Sequence, residues 1–171
     1  MMILGITGGT GCGKTTLLRC VERHGGEVID CDALYHALLH TETALLEAIS
    51  ARFSGVVTDG ELNRKALGKL VFADEAALRD LNSITHGAVC RAVRARLNLA
   101  RERGCELAAV DAIALFESGL ARLCDCTVAV TAPRSARIER LMRREGISEA
   151  YAAQRIAAQK SDAEFSEMSD F

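Results

Sequence analysis

Gly8-Gly9-Thr10-Gly11-Cys12-Gly13-Lys14-Thr15 is the stretch on which the reading of this chain turns. It spells G-x-x-x-x-G-K-[ST], and its neighbours suit a strand–loop–helix unit: the apolar run Met2 to Ile6 precedes it and a helical pattern from Thr16 to Arg23 follows. Such a loop binds phosphate for physical reasons. Its glycines let successive backbone N–H groups turn inward around phosphate oxygens, Lys14 reaches the outer phosphates, the Thr15 hydroxyl ligates Mg²⁺, and the helix N-terminus favours an anion. The pattern predicts a site for ATP or GTP and says nothing of the acceptor.

The bulk composition narrows the setting. With 171 residues, 49% of them hydrophobic, the chain has enough apolar material for one compact domain with a subdomain. A net charge of −2 gives no global reason to expect nucleic acid or an anionic membrane as partner. The seven cysteines, Cys12, Cys20, Cys31, Cys90, Cys105, Cys124 and Cys126, are odd in number and lack C-x-x-C spacing, which predicts reduced thiols and a cytoplasmic protein. No apolar run is long enough for a signal h-region or a membrane span.

Four short apolar, β-branched segments have the look of buried parallel strands: Met2 to Thr7, Glu27 to Asp30, Glu106 to Asp111 and Thr127 to Thr131. Helical patterns separate them, so the fold class expected is α/β: a P-loop NTPase core of parallel sheet flanked by helices. Between the second and third strands the helical stretch is far longer than a crossover needs, and it reads as an inserted acceptor-binding subdomain over 34–103. In it Val89, Val93, Leu97 and Ala100 mark one apolar face, while Arg91, Arg94, Arg96, Arg101 and Arg103 form a solvated one. The core then comprises 1–33, 104–133 and 161–171. An arginine-rich lid occupies 134–160, where Arg137, Arg140 and Arg144 recur at helical spacing, Gly146 stops the helix and Ser148 caps the next.

Carboxylates at strand ends supply candidates for chemistry. Asp30 and Asp32 follow the second strand, where an open α/β sheet lines its ligand crevice, and phosphoryl transfer to a hydroxyl needs one carboxylate to orient that hydroxyl and take its proton. Asp111 ends the third strand and Glu117 follows six residues later; either suits a metal or capping role. A GTPase would want N-K-x-D, and the nearest string, Gln159-Lys160-Ser161-Asp162, begins with Gln. The chain also lacks the clustered aromatics and positive charge of a nucleic-acid ATPase.

The order of motifs resembles the dephospho-CoA kinase family nearly end to end. After the loop come Val28-Ile29-Asp30-Cys31-Asp32, the block Asp59-Gly60-Glu61-Leu62-Asn63-Arg64-Lys65-Ala66-Leu67-Gly68 with Val71-Phe72, and Leu81-Asn82-Ser83-Ile84-Thr85-His86. Leu115-Phe116-Glu117, the lid arginines and Arg155-Ile156-Ala157-Ala158-Gln159 complete the series. The resemblance implies transfer of the ATP γ-phosphoryl to the ribose 3′-hydroxyl of dephospho-CoA, with Mg²⁺. It implies that Asp32 is the base and that Lys14 and Arg140 act on the phosphates. Gly9, Thr10, Gly11, Cys12, Gly13, Lys14, Thr15 and Thr16, with Arg140 and Arg144, would hold the nucleotide, and Thr15 the metal. Thr7, Asp32, Arg64, His86 and Glu117 would face the acceptor. Its partner is then a small molecule, with no nucleic acid and no membrane. Alternatives from the same motif are a nucleoside monophosphate or shikimate-type kinase, or a silent nucleotide-binding module.

The chain departs from the family pattern at four places. Gly87 stands where proline is usual, Ile113-Ala114 where Pro-Leu is usual, and Arg137 where glutamine is common. It stops at Phe171, where the family continues into another strand and an Asn-containing turn.

Overall fold

The computed structural model describes residues 1–58 and 60–171, without the side chain of Phe72. Asp59 therefore lies outside the described residues. Two compact units result, one of residues 1–30 with 97–171 and the other of residues 31–96.

The first unit is built on a four-stranded parallel sheet. Its strands are β1 (Met2–Thr7), β2 (Glu27–Asp30), β5 (Leu107–Asp111) and β6 (Cys126–Ala129), in the spatial order β2-β5-β1-β6. They fall on the four apolar runs of the sequence, except that β5 starts one residue later and β6, at Cys126–Ala129, ends two residues before Thr131; near-continuous hydrophobicity is what a strand covered on both faces requires. β1 lies inside the sheet, with Ile6 opposite Asp111 on one side and opposite Val128 on the other. Ala108, Ala109 and Val110 of β5 are completely buried. Helix α1 (Lys14–Arg23) lays Leu18 and Val21 against Ile6 and Ala109, so the helix that leaves the glycine loop is pinned to the strand that enters it.

The remaining elements of this unit are α6 (Arg134–Glu145), α7 (Glu149–Ala157), α8 (Asp162–Met168) and a single 3-10 turn at Leu120–Leu123. The first two form the expected hairpin: α6 ends at Gly146, Ser148 accepts from the Tyr151 N–H as cap of α7, and Ile138, Leu141, Ala152 and Ile156 pack between them. A capping box at Ser161 and Glu164 starts α8 and holds the Glu164 carboxyl below the usual range. Beyond α8, Phe171 accepts from the Ala129 N–H and donates to the Thr127 carbonyl, the bonding pattern of a parallel pair on the edge of β6. The Asp170 carboxylate accepts from the Thr127 hydroxyl at 2.7 Å and its N–H at 2.8 Å, which pulls its pKa down.

The second unit contains α2 (Cys31–Thr41), α3 (Thr43–Arg52), α4 (Arg64–Ala73) and most of α5 (Glu75–Glu102). Its core gathers Leu39, Leu45, Ile49, Phe53, Val56, Leu67 and Val71. The insertion is not wholly helical: Val57–Thr58 (β3) and Glu61–Leu62 (β4) form a short antiparallel ribbon. With only two residues a side, that ribbon has no periodicity for a sequence reading to detect. Asn63 then caps α4 by accepting from the Ala66 N–H at 3.0 Å. Helix α5 runs unbroken through Gly87, where a proline would remove an N–H from the ladder. Arg91 pairs with Glu42 within this unit, and Arg103, in the first unit, pairs with Glu27.

Ile6 has no exposed surface and touches both the sheet and α1. Ile6→Ala is expected to cost about 2–5 kcal/mol in urea unfolding followed by circular dichroism, since the cavity lies where neither element can collapse inward. A loss well under 1 kcal/mol would show that this strand is not the centre of the core.

Candidate nucleotide site

The loop leaves β1 at Gly8 and enters α1 at Lys14, so it stands at the C-terminal end of a central strand and at a helix N-terminus. Gly13, the helix N-cap, has φ 107°, backbone that favours glycine. Lys14 Nζ donates to the Gly8 carbonyl at 2.9 Å, which folds the side chain back over the loop, and sits 4.0 Å from Asp111 Oδ1. Asp111 closes β5 directly opposite Ile6, and Asp30 ends β2 opposite Asp111. The Lys14 cation therefore sits beside the Asp111 carboxylate at the C-terminal end of the sheet, where β2 also ends in Asp30.

The outer side of the loop is held by α6. Arg137 is 3% exposed, and its guanidinium donates to the Thr10 carbonyl at 3.0 Å, to Asp162 Oδ1 at 2.9 Å and to Gln159 Oε1 at 3.2 Å. Gln159 in turn accepts from the Thr10 N–H at 2.8 Å and donates to its hydroxyl at 2.7 Å. One turn along α6, Arg140 Nη1 donates to the carbonyls of Gly11 at 2.9 Å and Cys12 at 3.2 Å. These contacts explain Gly9 as well: a Cβ there would run into the Arg137 guanidinium. Burying that charge is tolerable because three acceptors meet it, one of them the Asp162 carboxylate.

Residues named from the sequence reach different places. Lys14, Gly11, Cys12, Gly13 and Arg140 come together at the loop. Thr15 and Thr16 are exposed on the first turn of α1. Thr10 has its N–H, hydroxyl and carbonyl all bonded to Gln159 or Arg137. Thr7 is fully buried, its hydroxyl donating to the Ile113 carbonyl at 3.2 Å. Arg144 pairs with Glu145, which Arg155 also binds, and the two arginines hold that carboxyl below its usual range. Glu117 is paired with Lys160.

Asp32, Arg64 and His86 belong to the second unit. Asp32 is exposed on the first turn of α2, two residues past the end of β2. Arg64 opens α4, close enough to Tyr35 to oppose the rise in that phenol's pKa caused by burial. His86 lies half-buried in α5, where desolvation lowers its pKa from 6.5.

A sequence reading centred on the loop missed the role of Gln159 and Asp162. The helical spacing of Arg137 and Arg140 was the available signal, but spacing does not say what a side reaches. The thiols are all free, and Cys124 is pushed up to about 11, chiefly by burial, which leaves it inert. Among the described residues no group of three or more His, Cys, Asp and Glu side chains is placed to hold a metal alone. Mg²⁺ at a P-loop takes one or two protein oxygens and completes its shell with phosphates and water. The Thr15 hydroxyl and the Asp111 carboxylate are hard oxygen donors of that kind.

Comparison with known proteins bears on the same residues. A family model described as dephospho-CoA kinase matches residues 2–171. The chain is 42% identical to a dephospho-CoA kinase of Anaeromyxobacter dehalogenans, over 100% of this chain and 82% of that protein. It is 38% identical to one from Corynebacterium diphtheriae, over 95% and 82%. Among solved structures, a Thermus thermophilus protein superposes with TM-score 0.83 at 31% identity, covering 98% of this chain and 85% of the other. The dephospho-CoA kinase of Campylobacter jejuni superposes with TM-score 0.65 at 23% identity, covering 99% and 85%, a likeness of fold.

The lowered pKa of His86 has a consequence for stability. Above pH 6.5 the imidazole is neutral in both states; as pH falls below 6.5 the unfolded chain takes the proton first, and stability declines until the depressed folded value is passed. An NMR titration should place the His86 imidazole below 6.5, and His86→Asn should flatten the fall in thermal stability as pH drops below 6.5. A native pKa at or above 6.5 would contradict the burial seen here.

Proposed function

The chain belongs to the dephospho-CoA kinase family, ATP-dependent kinases that act on a hydroxyl group, and we propose how its own residues share that reaction. The acceptor is the ribose 3′-hydroxyl of dephospho-CoA. The observation that carries the assignment at residue level is the complete loop at the end of β1, with Lys14 beside Asp111 and Arg140 on the loop's outer carbonyls. ATP phosphates lie along the inward N–H groups of Gly11, Gly13, Lys14 and Thr15, with Lys14 leaving the Gly8 carbonyl to meet the outer phosphates. Catalysis by such a site is positioning and charge neutralisation, because the transferring phosphoryl group needs little covalent help.

Mg²⁺, when bound, supplies further neutralisation of phosphate charge, and Thr15 and Asp111 are the side chains to hold it. Asp32 orients the ribose hydroxyl and accepts its proton, with Arg64, His86 and Glu117 on the acceptor's side. Arg140, already at the loop, reaches the phosphates by a rotamer change, and Arg144 by releasing Glu145. A cytoplasmic location agrees with seven free thiols. Among the described residues no helix is long and apolar enough to cross a membrane.

Steady-state kinetics with ATP and a panel of acceptors tests the reading: dephospho-CoA should be phosphorylated, and shikimate and nucleoside monophosphates should not. Lys14→Ala should abolish turnover, because the loop has no other cation of its own. Full activity in that variant would sink the proposal.

Asp32→Asn keeps the shape of the side chain but cannot take a proton. It should cut kcat by about a hundredfold or more while ATP titration stays near that of the parent protein. Asp30→Asn, at the sheet edge, should be milder. Parental turnover in Asp32→Asn would move the base to another carboxylate, with Glu117 first in line.

A further inference from the structure

A P-loop presents N–H groups to an anion only if its carbonyls are directed away from it. In a trans peptide the C=O and the following N–H point in opposite directions, and no peptide among the described residues is cis. Arg137 draws the Thr10 carbonyl outward, so the Gly11 N–H faces the other side. Arg140 draws the Cys12 carbonyl outward and thereby turns the Gly13 N–H the same way. The two arginines differ in setting: Arg140 is reached by solvent at its loop contact, whereas Arg137 is buried and bound on every side.

Arg137 also does more than hold one carbonyl. Its other two donors go to Gln159 and Asp162, and Gln159 closes on the N–H and hydroxyl of the same Thr10. Every polar group of Thr10 is thus satisfied from outside the loop, by side chains from α6 and from the segment joining α7 to α8. A single side-chain amide, with two donors on one nitrogen, could not span these three acceptors. A planar guanidinium with five donors can.

We propose that Arg137 is a positioning residue of the ATP site, locking the Thr10–Gly11 peptide in its anion-binding orientation through a clasp with Gln159 and Asp162. The proposal rests on reading residues 8–15 as the nucleotide site. In this role Arg137 acts through the backbone of the loop, by its bond to the Thr10 carbonyl. Preorganisation of this kind lowers the cost of binding the phosphates, so the effect belongs to ATP affinity rather than to the acceptor.

The test compares Arg137→Lys and Arg137→Met in the full chain, using ATP titration by calorimetry, amide NMR, and kinetics with dephospho-CoA. Lysine keeps a charge beside Asp162 but cannot reach three acceptors, and methionine keeps only the apolar stem. Both should weaken ATP binding, lysine by about tenfold and methionine by more, as expected for losing charge-assisted hydrogen bonds. The Gly11 and Gly13 amide resonances should shift in each, while KM for dephospho-CoA stays within about twofold, as expected for a loss confined to the nucleotide side. An ATP Kd within about twofold of the parent in a folded variant would overturn the proposal, since a lost charge-assisted hydrogen bond weakens binding further than that. An equal rise in KM for both substrates would also overturn it, as it would mark Arg137 as purely structural. Should Arg137→Met fail to fold, Arg137→Lys with Asp162→Asn decides the matter, because Asp162 is partly exposed and its loss leaves the core intact. If the parent protein bound ATP but left dephospho-CoA unphosphorylated, the kinase assignment would fall while the ATP titrations still judged the clasp.

Discussion

The demand that a glycine loop be held open against its own collapse shapes the first unit of this protein. Left to itself, a loop rich in glycine samples many conformations, and its carbonyls compete with phosphate for its N–H groups. The Cys12 N–H leans toward the Gly9 carbonyl even here, at 3.3 Å. What prevents further closure is the loop's own Lys14, folded onto the Gly8 carbonyl at the start of α1, together with two arginines of α6: Arg137 on Thr10, and Arg140 on Gly11 and Cys12. Each partner stands on an element that is itself buried or capped.

Those elements are arranged by ordinary burial. β1 is flanked by β5 and β6, α1 seals one face through Leu18 and Val21, and α6 is fixed by packing Ile138 and Leu141 against α7. The order β2-β5-β1-β6 brings Asp30, Asp111 and the start of the loop to the C-terminal end of the sheet. The placement of these side chains is therefore a by-product of strand register. Shifting β5 by a single residue would turn the Asp111 carboxylate to the opposite face and away from Lys14.

The lid illustrates how one charge pattern can serve different ends. Arg137, Arg140 and Arg144 share a face of α6, yet the first is buried in a clasp, the second lies on loop carbonyls, and the third joins a surface pair with Glu145. The exposed pair contributes little to stability, since solvent screens it and two long side chains lose rotamer freedom. The buried guanidinium matters through the geometry it imposes.

Much of the fold was legible in the chain because its signals are local. The loop motif, the four apolar runs, the Gly146 stop and the Ser148 cap each depend on neighbours in sequence, and each stands where the pattern put it. The family was legible as well, through the order of motifs from Gly8 to Gln159. What the chain did not disclose is long-range. The β3–β4 ribbon is too short for periodicity, and the clasp joins Thr10 to residues 127, 149 and 152 positions further along. Nothing in the spacing of Arg137 tells whether its guanidinium meets water, a phosphate or a backbone carbonyl. Sequence thus determined that a phosphate loop would form and on which strand. Only the tertiary structure decided which side chains hold it open, because hydrogen bonds between distant segments exist only after the helices that carry them have packed.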